Sequence, residues 1–300
     1  MLLLGGCNDK SIDGDDPPRV IPYIQYLSTS HVDDYVYFFF GGDTVVSQGI
    51  YRYDMVARKS PEIVVTDAIA GAVSPCGDEL AYLTFYGDLR LLDLTSHDSV
   101  CPDSSVLVDT GPSGGHVSVR WRGCDTILFT GDPGSGWGVY QVDVNTEIIN
   151  LIQAACRDGS ASLDGESIAY TTDLLHAPSP LLLLHEGNDI DTLIDFDSLP
   201  GQSTVRNPMI SWSGEYIGYV RRWSSSDGGA PFIHYDSEIV NTSTRERGTV
   251  AEQALYPTWV RDGRILYVSI DTAHFRELWC TNVRGSNHEQ ILTYDDFYQK

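Results

Sequence analysis

Positive charge, helical periodicity and paired cysteines are all scarce in this sequence. Lys and Arg number 19 against 42 Asp and Glu, a formal net charge of −23 over 300 residues. The densest basic groups are Arg221-Arg222 and Arg245-Glu246-Arg247. So acidic a chain repels phosphate backbones, which excludes nucleic acid as an expected partner, and its acids read as a solvated surface. The cysteines, Cys7, Cys76, Cys101, Cys124, Cys156 and Cys280, form no Cys-x-x-Cys and have no His at ligand spacing. Zinc, thioredoxin-like and haem-attachment sites are therefore not expected. No segment has the roughly 20 apolar residues of a membrane span. "GDPGSGWG", from Gly131 to Gly138, lacks the Lys-Ser/Thr of a phosphate loop and runs into the strand-like "VYQVDV". No metal or cofactor is expected. What is present, 42% hydrophobic and 11% aromatic residues, is enough to fold.

The N-terminal MLLLGGC looks like the end of a bacterial lipoprotein signal, with Leu4-Gly5-Gly6-Cys7 in the place of the lipobox. The apolar part is shorter than the roughly 7–15 residues of a secretory signal and has no basic flank. Residues 8–18 are acidic and turn-rich, the composition of a tether. Residues 1–17 are accordingly read as a truncated lipoprotein signal and acidic tether, with Cys7 as the lipidation site. Residues 18–300 are read as one domain.

That domain is repetitive. "SPCGDELAYLTFYGDLRLLDL" is a turn, an apolar strand, a loop and a second strand ending in Asp, and "YPTWVRDGRILYVSIDTAHFRELWCTNV" from Tyr256 to Val283 repeats the form. An aromatic closes the inner apolar strand of each copy: Phe38, Tyr82, Phe129, Tyr170, Tyr219 and Tyr267, spaced by 44, 47, 41, 49 and 48 residues. A period of roughly 40–50 residues is that of a four-stranded propeller blade. The apolar runs are short, alternating or continuous, and bounded by Gly, Pro, Asp and Ser, as strands require and helices do not. The fold expected is all-β, a six-bladed β-propeller of four-stranded antiparallel blades. Asp54, Asp93, Asp143, Asn241 and Asn282, at the ends of the third strands, are expected to cap turns and not to do chemistry. "NDIDTLIDFD", Asn188 to Asp197, is expected to be the outer strand of blade 4 with its acids outward.

Units such as "TWVRDGRILYVS" and "VSPCGDELAYLT" resemble the TolB-type, WD40-like propeller repeat, whose turn is close to Trp-Ser-Pro-Asp-Gly followed by an Ile-Ala-Phe/Tyr strand. The resemblance covers roughly residues 30 to 293 and implies the fold, while saying little about activity. Ring closure is expected from Arg19 to Thr29, added as the outermost strand of the last blade. A disulfide between Cys101 and either Cys76 or Cys124 is expected, all three lying on turns of one side.

In a propeller the innermost strands line a channel, and the loops leading into them share a face with the loops between second and third strands. Candidate binding residues on that face are His31, His116, Asp158, Arg206 and Tyr256, with Trp137, Trp223 and Phe275 as aromatic anchors. The eight histidines scatter across the copies, only His31 and His116 sharing a repeat position, and no base stands beside a nucleophile. The function expected is non-enzymatic: a monomeric scaffold in the cell envelope, periplasmic or extracellular, that binds another envelope protein or a peptide and meets the membrane only through a lipid at Cys7. The alternative is a hydrolase or lyase acting on an envelope glycan or small ester, with His31, His116 and Asp158 converging on the channel mouth.

Overall fold

The computed structural model describes residues 23–42, 46–95, 105–109, 118–172, 180–185, 189–195, 203–225, 232–271 and 276–298. Six four-stranded antiparallel sheets, β1 to β24 in chain order, follow one another as blades 1 to 6, each made of four consecutive strands. The innermost strands are β1 (Tyr23–Thr29), β5 (Ala68–Val73), β9 (Val119–Arg122), β13 (Cys156–Ala161), β17 (Thr204–Ile210) and β21 (Ala254–Trp259). Each touches the next, and β21 touches β1, so the ring is closed. No helix among the described residues is long and apolar enough to cross a membrane.

The second strand of each blade is buried on both faces by its neighbours, which explains its unbroken apolar run. Phe38, Phe129, Tyr170 and Tyr219 are sealed there, and Tyr82 and Tyr267 nearly so. The turns that follow the innermost strands form one face of the disc, here the turn face. At Gly77 the backbone takes φ +77°, and a Cβ would stand 2.6 Å from Val32 of blade 1, so both conformation and crowding demand glycine. Tryptophans before these turns bind neighbouring blades: Trp121 Nε1 donates to the Ala72 carbonyl at 2.8 Å and Trp259 Nε1 to that of Met209 at 2.7 Å. The five Asp and Asn residues at the third-strand ends cap as expected; Asp54 Oδ1, for example, accepts from the amides of Val56 and Ala57, and Asn241 Oδ1 from those of Ser243 and Thr244. Asp191, in β16 (Ile190–Ile194), faces outward to Arg245 at 3.0 Å.

Closure departs from the sequence expectation. The segment ending at Thr29 is the innermost strand of blade 1 and not the outer strand of blade 6, so among the described residues no strand is shared between the first and last blades. An apolar seam joins them instead: Ile24, Leu27, Phe38, Phe40 and Tyr53 of blade 1 bury against Val260, Leu266, Leu278 and Leu292 of blade 6. The Thr29 hydroxyl donates to the Trp259 carbonyl, and Arg58 pairs with Glu289. Beyond the last strand, a 3-10 turn over Tyr294–Phe297 swings Phe297 back across the seam. Its ring stacks on Phe40 at 4.0 Å and meets Phe38 and Tyr51 edge-on. In place of the expected added strand, burial of these apolar side chains holds the two end blades together.

The disulfide is also not the one expected. Cys76 bonds Cys124, with Cα atoms 6.0 Å apart, stapling the turns of blades 2 and 3; Cys101 lies outside the described residues. Cys156 and Cys280 are buried and outside the disulfide, and burial pushes the Cys280 thiol up to about 11.

Removing the staple with Cys76→Ala and Cys124→Ala should cost about 4 kcal/mol, from the chain entropy of a 48-residue separation, and lower the melting temperature in scanning calorimetry. An oxidised wild type that melts with the double variant contradicts this. Phe297→Ala should cost about 2 kcal/mol and lower the denaturant midpoint without changing the secondary-structure signal of the folded baseline.

Candidate binding site on the loop face

Each innermost strand contributes one residue to a ring around the axis: Ser28, Ala72, Arg120, Ser160, Met209 and Thr258. Small side chains from four blades leave room for Arg120, whose guanidinium crosses the axis from blade 3 to blade 5. Its Nε donates to Met209 Sδ at 2.8 Å and its Nη1 to the Val119 carbonyl at 2.8 Å. The cavity that remains is about 40 Å³. Since one water occupies about 30 Å³, that space is of the order of a single water and far smaller than a typical small-molecule site.

One step toward the loop face the innermost strands bulge. Tyr26, Asp158, Asn207 and Tyr256 take φ of 54°, 56°, 49° and 56°, and the strand pairing slips there in all four blades. Left-handed backbone at non-glycine residues costs about 1 kcal/mol or more each, so the ring scaffold must impose it. The bulges aim these side chains at the axis. Tyr26 and Tyr256 meet at 5.5 Å, and burial, with the Asp158 charge next, pushes Tyr26 up to about 12. Asp158 is held by the Asn207 amide at 3.4 Å and lies 3.9 Å from Arg157 Nε. Arg206, at the same place on blade 5 as Arg157 on blade 4, is lowered by burial and then by the charges of Arg157 and Arg222, with Asp158 opposing. Arg120 is lowered by burial, also against Asp158.

Blade 5 carries a feature the others lack. Its β18 (Tyr216–Ser225) and β19 (Phe232–Asn241) have ten residues each, where the corresponding strands of other blades have four to seven. The hairpin therefore stands above the loop face. Trp223 belongs to this strand and not, as expected, to a loop. It stacks on His234 at 4.0 Å and donates through Nε1 to Asp236 Oδ2 at 2.6 Å, beneath the Arg221 guanidinium. Gln253 Nε2 meets His234 Nδ1 at 3.0 Å, so Nδ1 accepts and Nε2 carries the proton toward Ser225 Oγ. Beside this braced cluster Phe232 is 65% and Ile233 41% exposed.

Of the residues expected to form the site, Asp158, Arg206 and Tyr256 come together near the axis on the loop face, and Trp223 stands apart on the blade 5 hairpin of the same side. Trp137 is on its expected loop, but half-buried: Asp132 Oδ1 ties the loop by accepting from Gly134 and Gly136 amides, and the indole Nε1 is buried. His31 is at the opposite end of the channel. It follows β1 at the turn face, where its amide donates to the Pro75 carbonyl at 3.0 Å and its ring meets Trp212 edge-on at 5.5 Å. His116 precedes β9, so the two histidines do not share a repeat position, and His31 and Asp158 do not converge. His116, Phe275, Cys7 and Cys101 lie outside the described residues. Sequence reading missed Arg120, Arg157 and Arg222; the 49-residue interval from Arg157 to Arg206, equal to that from Tyr170 to Tyr219, was the available signal.

A larger groove of about 420 Å³ runs between blades 5 and 6, lined by Ala251, Tyr267, Asp271, Trp279 and His288. Its histidine is committed to structure: Nε2 donates to the Gly285 carbonyl at 3.1 Å and Nδ1 accepts from Tyr267 Oη at 2.8 Å. Among the described residues no group of three or more His, Cys, Asp and Glu could hold a metal ion.

No family model and no curated protein matches the sequence. Solved structures do match in shape. TolB from Acinetobacter baumannii aligns with a TM-score of 0.63 at 15% identity over 91% of this chain, which spans 64% of that protein's length. The β-propeller domain of the trilobed protease from Pyrococcus furiosus, described as having an open velcro topology, gives 0.58 at 11% identity over 91% of this chain and 99% of that one. An oligogalacturonate lyase in complex with manganese gives 0.56 at 12% identity, covering 91% and 78%. At these identities the likeness is one of fold, borne by proteins of different activities. The chain is a TolB-like six-bladed β-propeller.

Proposed function

We propose that this chain is a non-enzymatic binding module of the cell envelope, lipid-anchored through Cys7, that holds a partner protein or peptide on its loop face. The blade 5 hairpin carries the reading. It raises an exposed apolar pair, Phe232 and Ile233, above the ring beside aromatic side chains already fixed by hydrogen bonds. Rigid aromatic anchors beside exposed apolar residues bind at low entropic cost, because little remains to be ordered. Two further observations favour binding over turnover: the channel is plugged at Arg120, and His288, which lines the groove between blades 5 and 6, is spent on structural bonds.

The test is a peptide-display selection against the full chain. Enriched sequences should bind the wild type and lose roughly 30-fold or more in affinity, about 2 kcal/mol, when Trp223 and Phe232 are both changed to Ala. Failure to enrich any sequence, or binding that ignores both changes, overturns the reading. So does turnover of oligogalacturonides or a chromogenic ester by the purified chain.

A further inference from the structure

In a chain with more than twice as many acids as bases, several described arginines find carboxylates. Arg52 has Glu62, Arg90 has Asp88, Arg245 has Asp191 and Arg264 has both Asp262 and Glu289. Arg221 takes two, Asp236 at 3.1 Å and Glu238 at 2.8 Å. Its sequence neighbour Arg222 takes none, because alternation along β18 sends it to the other face. There it is opposite Thr204, while Arg206 is opposite Val220, so the two guanidiniums are diagonal neighbours on one face of blade 5. Neither has a carboxylate at ion-pair distance among the described residues. Arg206 Nε and Thr204 Oγ1, on the same face two residues apart, are buried with no hydrogen-bond partner among the described residues. Arg157 of blade 4 completes the group, and Asp158 is the carboxylate beside it among the described residues.

Such an arrangement is unfavourable as it stands. Like charges sit together, and donors are removed from water without acceptors. An anion seated between them would satisfy both deficits, and guanidinium forks match a planar carboxylate two bonds at a time.

We propose that Arg157, Arg206 and Arg222, with Thr204, form a carboxylate-binding site at the axial mouth of the loop face, and that it receives one acidic group of a peptide. The inference rests on the binding reading above and names what is bound. Behind the site, Arg120 and the Tyr26–Tyr256 pair block the axis, so a bound group cannot pass deeper into the channel. The rest of the ligand must turn outward, where the exposed Ile233, on the same face of the hairpin as Arg222, offers apolar contact. A polyanionic glycan would set charge after charge against a surface of net −23, whereas a peptide with one carboxylate and apolar neighbours would not.

The arginine Nε–H resonances of the labelled full chain provide the readout, with acetate and acetyl-Leu-Phe-Glu-amide as probes at constant ionic strength. The Arg206 resonance should shift saturably with both, and acetyl-Leu-Phe-Gln-amide should bind at least tenfold more weakly than the Glu peptide. Arg206→Gln and, independently, the more exposed Arg222→Gln should each weaken the Glu peptide at least tenfold, with partial recovery in Arg206→Lys. In anion-free buffer Arg206→Gln should melt no lower than wild type, since it relieves repulsion, which a purely structural arginine would not do. An Arg206 resonance indifferent to both probes, or equal binding of the Glu and Gln peptides, overturns the proposal. Tighter binding of trigalacturonate than of the Glu peptide replaces the peptide with a glycan. If display yields binders while Arg206 stays silent, the carboxylate site alone fails; if Arg206 responds to acetate but no peptide is ever selected, the binding reading fails.

Discussion

The whole molecule hangs on an apolar seam between the first and last blades. A propeller must bring its two ends together, and among the described residues no hydrogen-bonded strand crosses the junction. Phe38, Phe40 and Tyr53 bury against Leu266, Leu278 and Leu292, and Phe297 returns over them from beyond the final strand. Side-chain packing thus does the work that backbone pairing does elsewhere. Opening this seam would release the six innermost strands from one another, and the axial residues they carry would lose their geometry. The disulfide lies at blades 2 and 3, away from the seam, so covalent and apolar restraints act on different parts of the ring.

A closed ring can impose costs that a loose chain would refuse. Four bulged strands hold non-glycine residues in left-handed backbone, and three arginines crowd one carboxylate. Both are local losses carried by the global packing. They occur together, near the axis on the loop face, which is also the side that bears the long blade 5 hairpin. The turn face differs: His31 meets Trp212, indole nitrogens bond carbonyls of neighbouring blades, and the disulfide closes over two turns. One side of the disc is built for cohesion and the other keeps polar groups waiting.

The fold was legible because its signals are local. Six aromatics at intervals of 41 to 49 residues, the turn chemistry around Gly77 and Gly263, and Asp or Asn at third-strand ends each report a short-range physical need. The closure and the disulfide were less legible, since a terminal strand can join either end blade with the same alternation, and half-cystines pair by proximity. The candidate site was legible in part. Asp158, Arg206, Tyr256 and Trp223 fell on the expected face, while His31 did not, because a residue just after an innermost strand and one just before it belong to opposite ends of the channel.

By itself, the sequence determined the number of blades, the strand that each aromatic would occupy and the overwhelming negative charge, all of which follow from composition and period. Only the tertiary structure decided where positive charge would concentrate. No stretch of chain contains a basic cluster longer than two arginines, yet Arg157, Arg206 and Arg222 share one axial neighbourhood. The reason is geometric: residues one blade apart in sequence become neighbours when innermost strands converge on an axis, and cross-strand pairing in blade 5 adds the third.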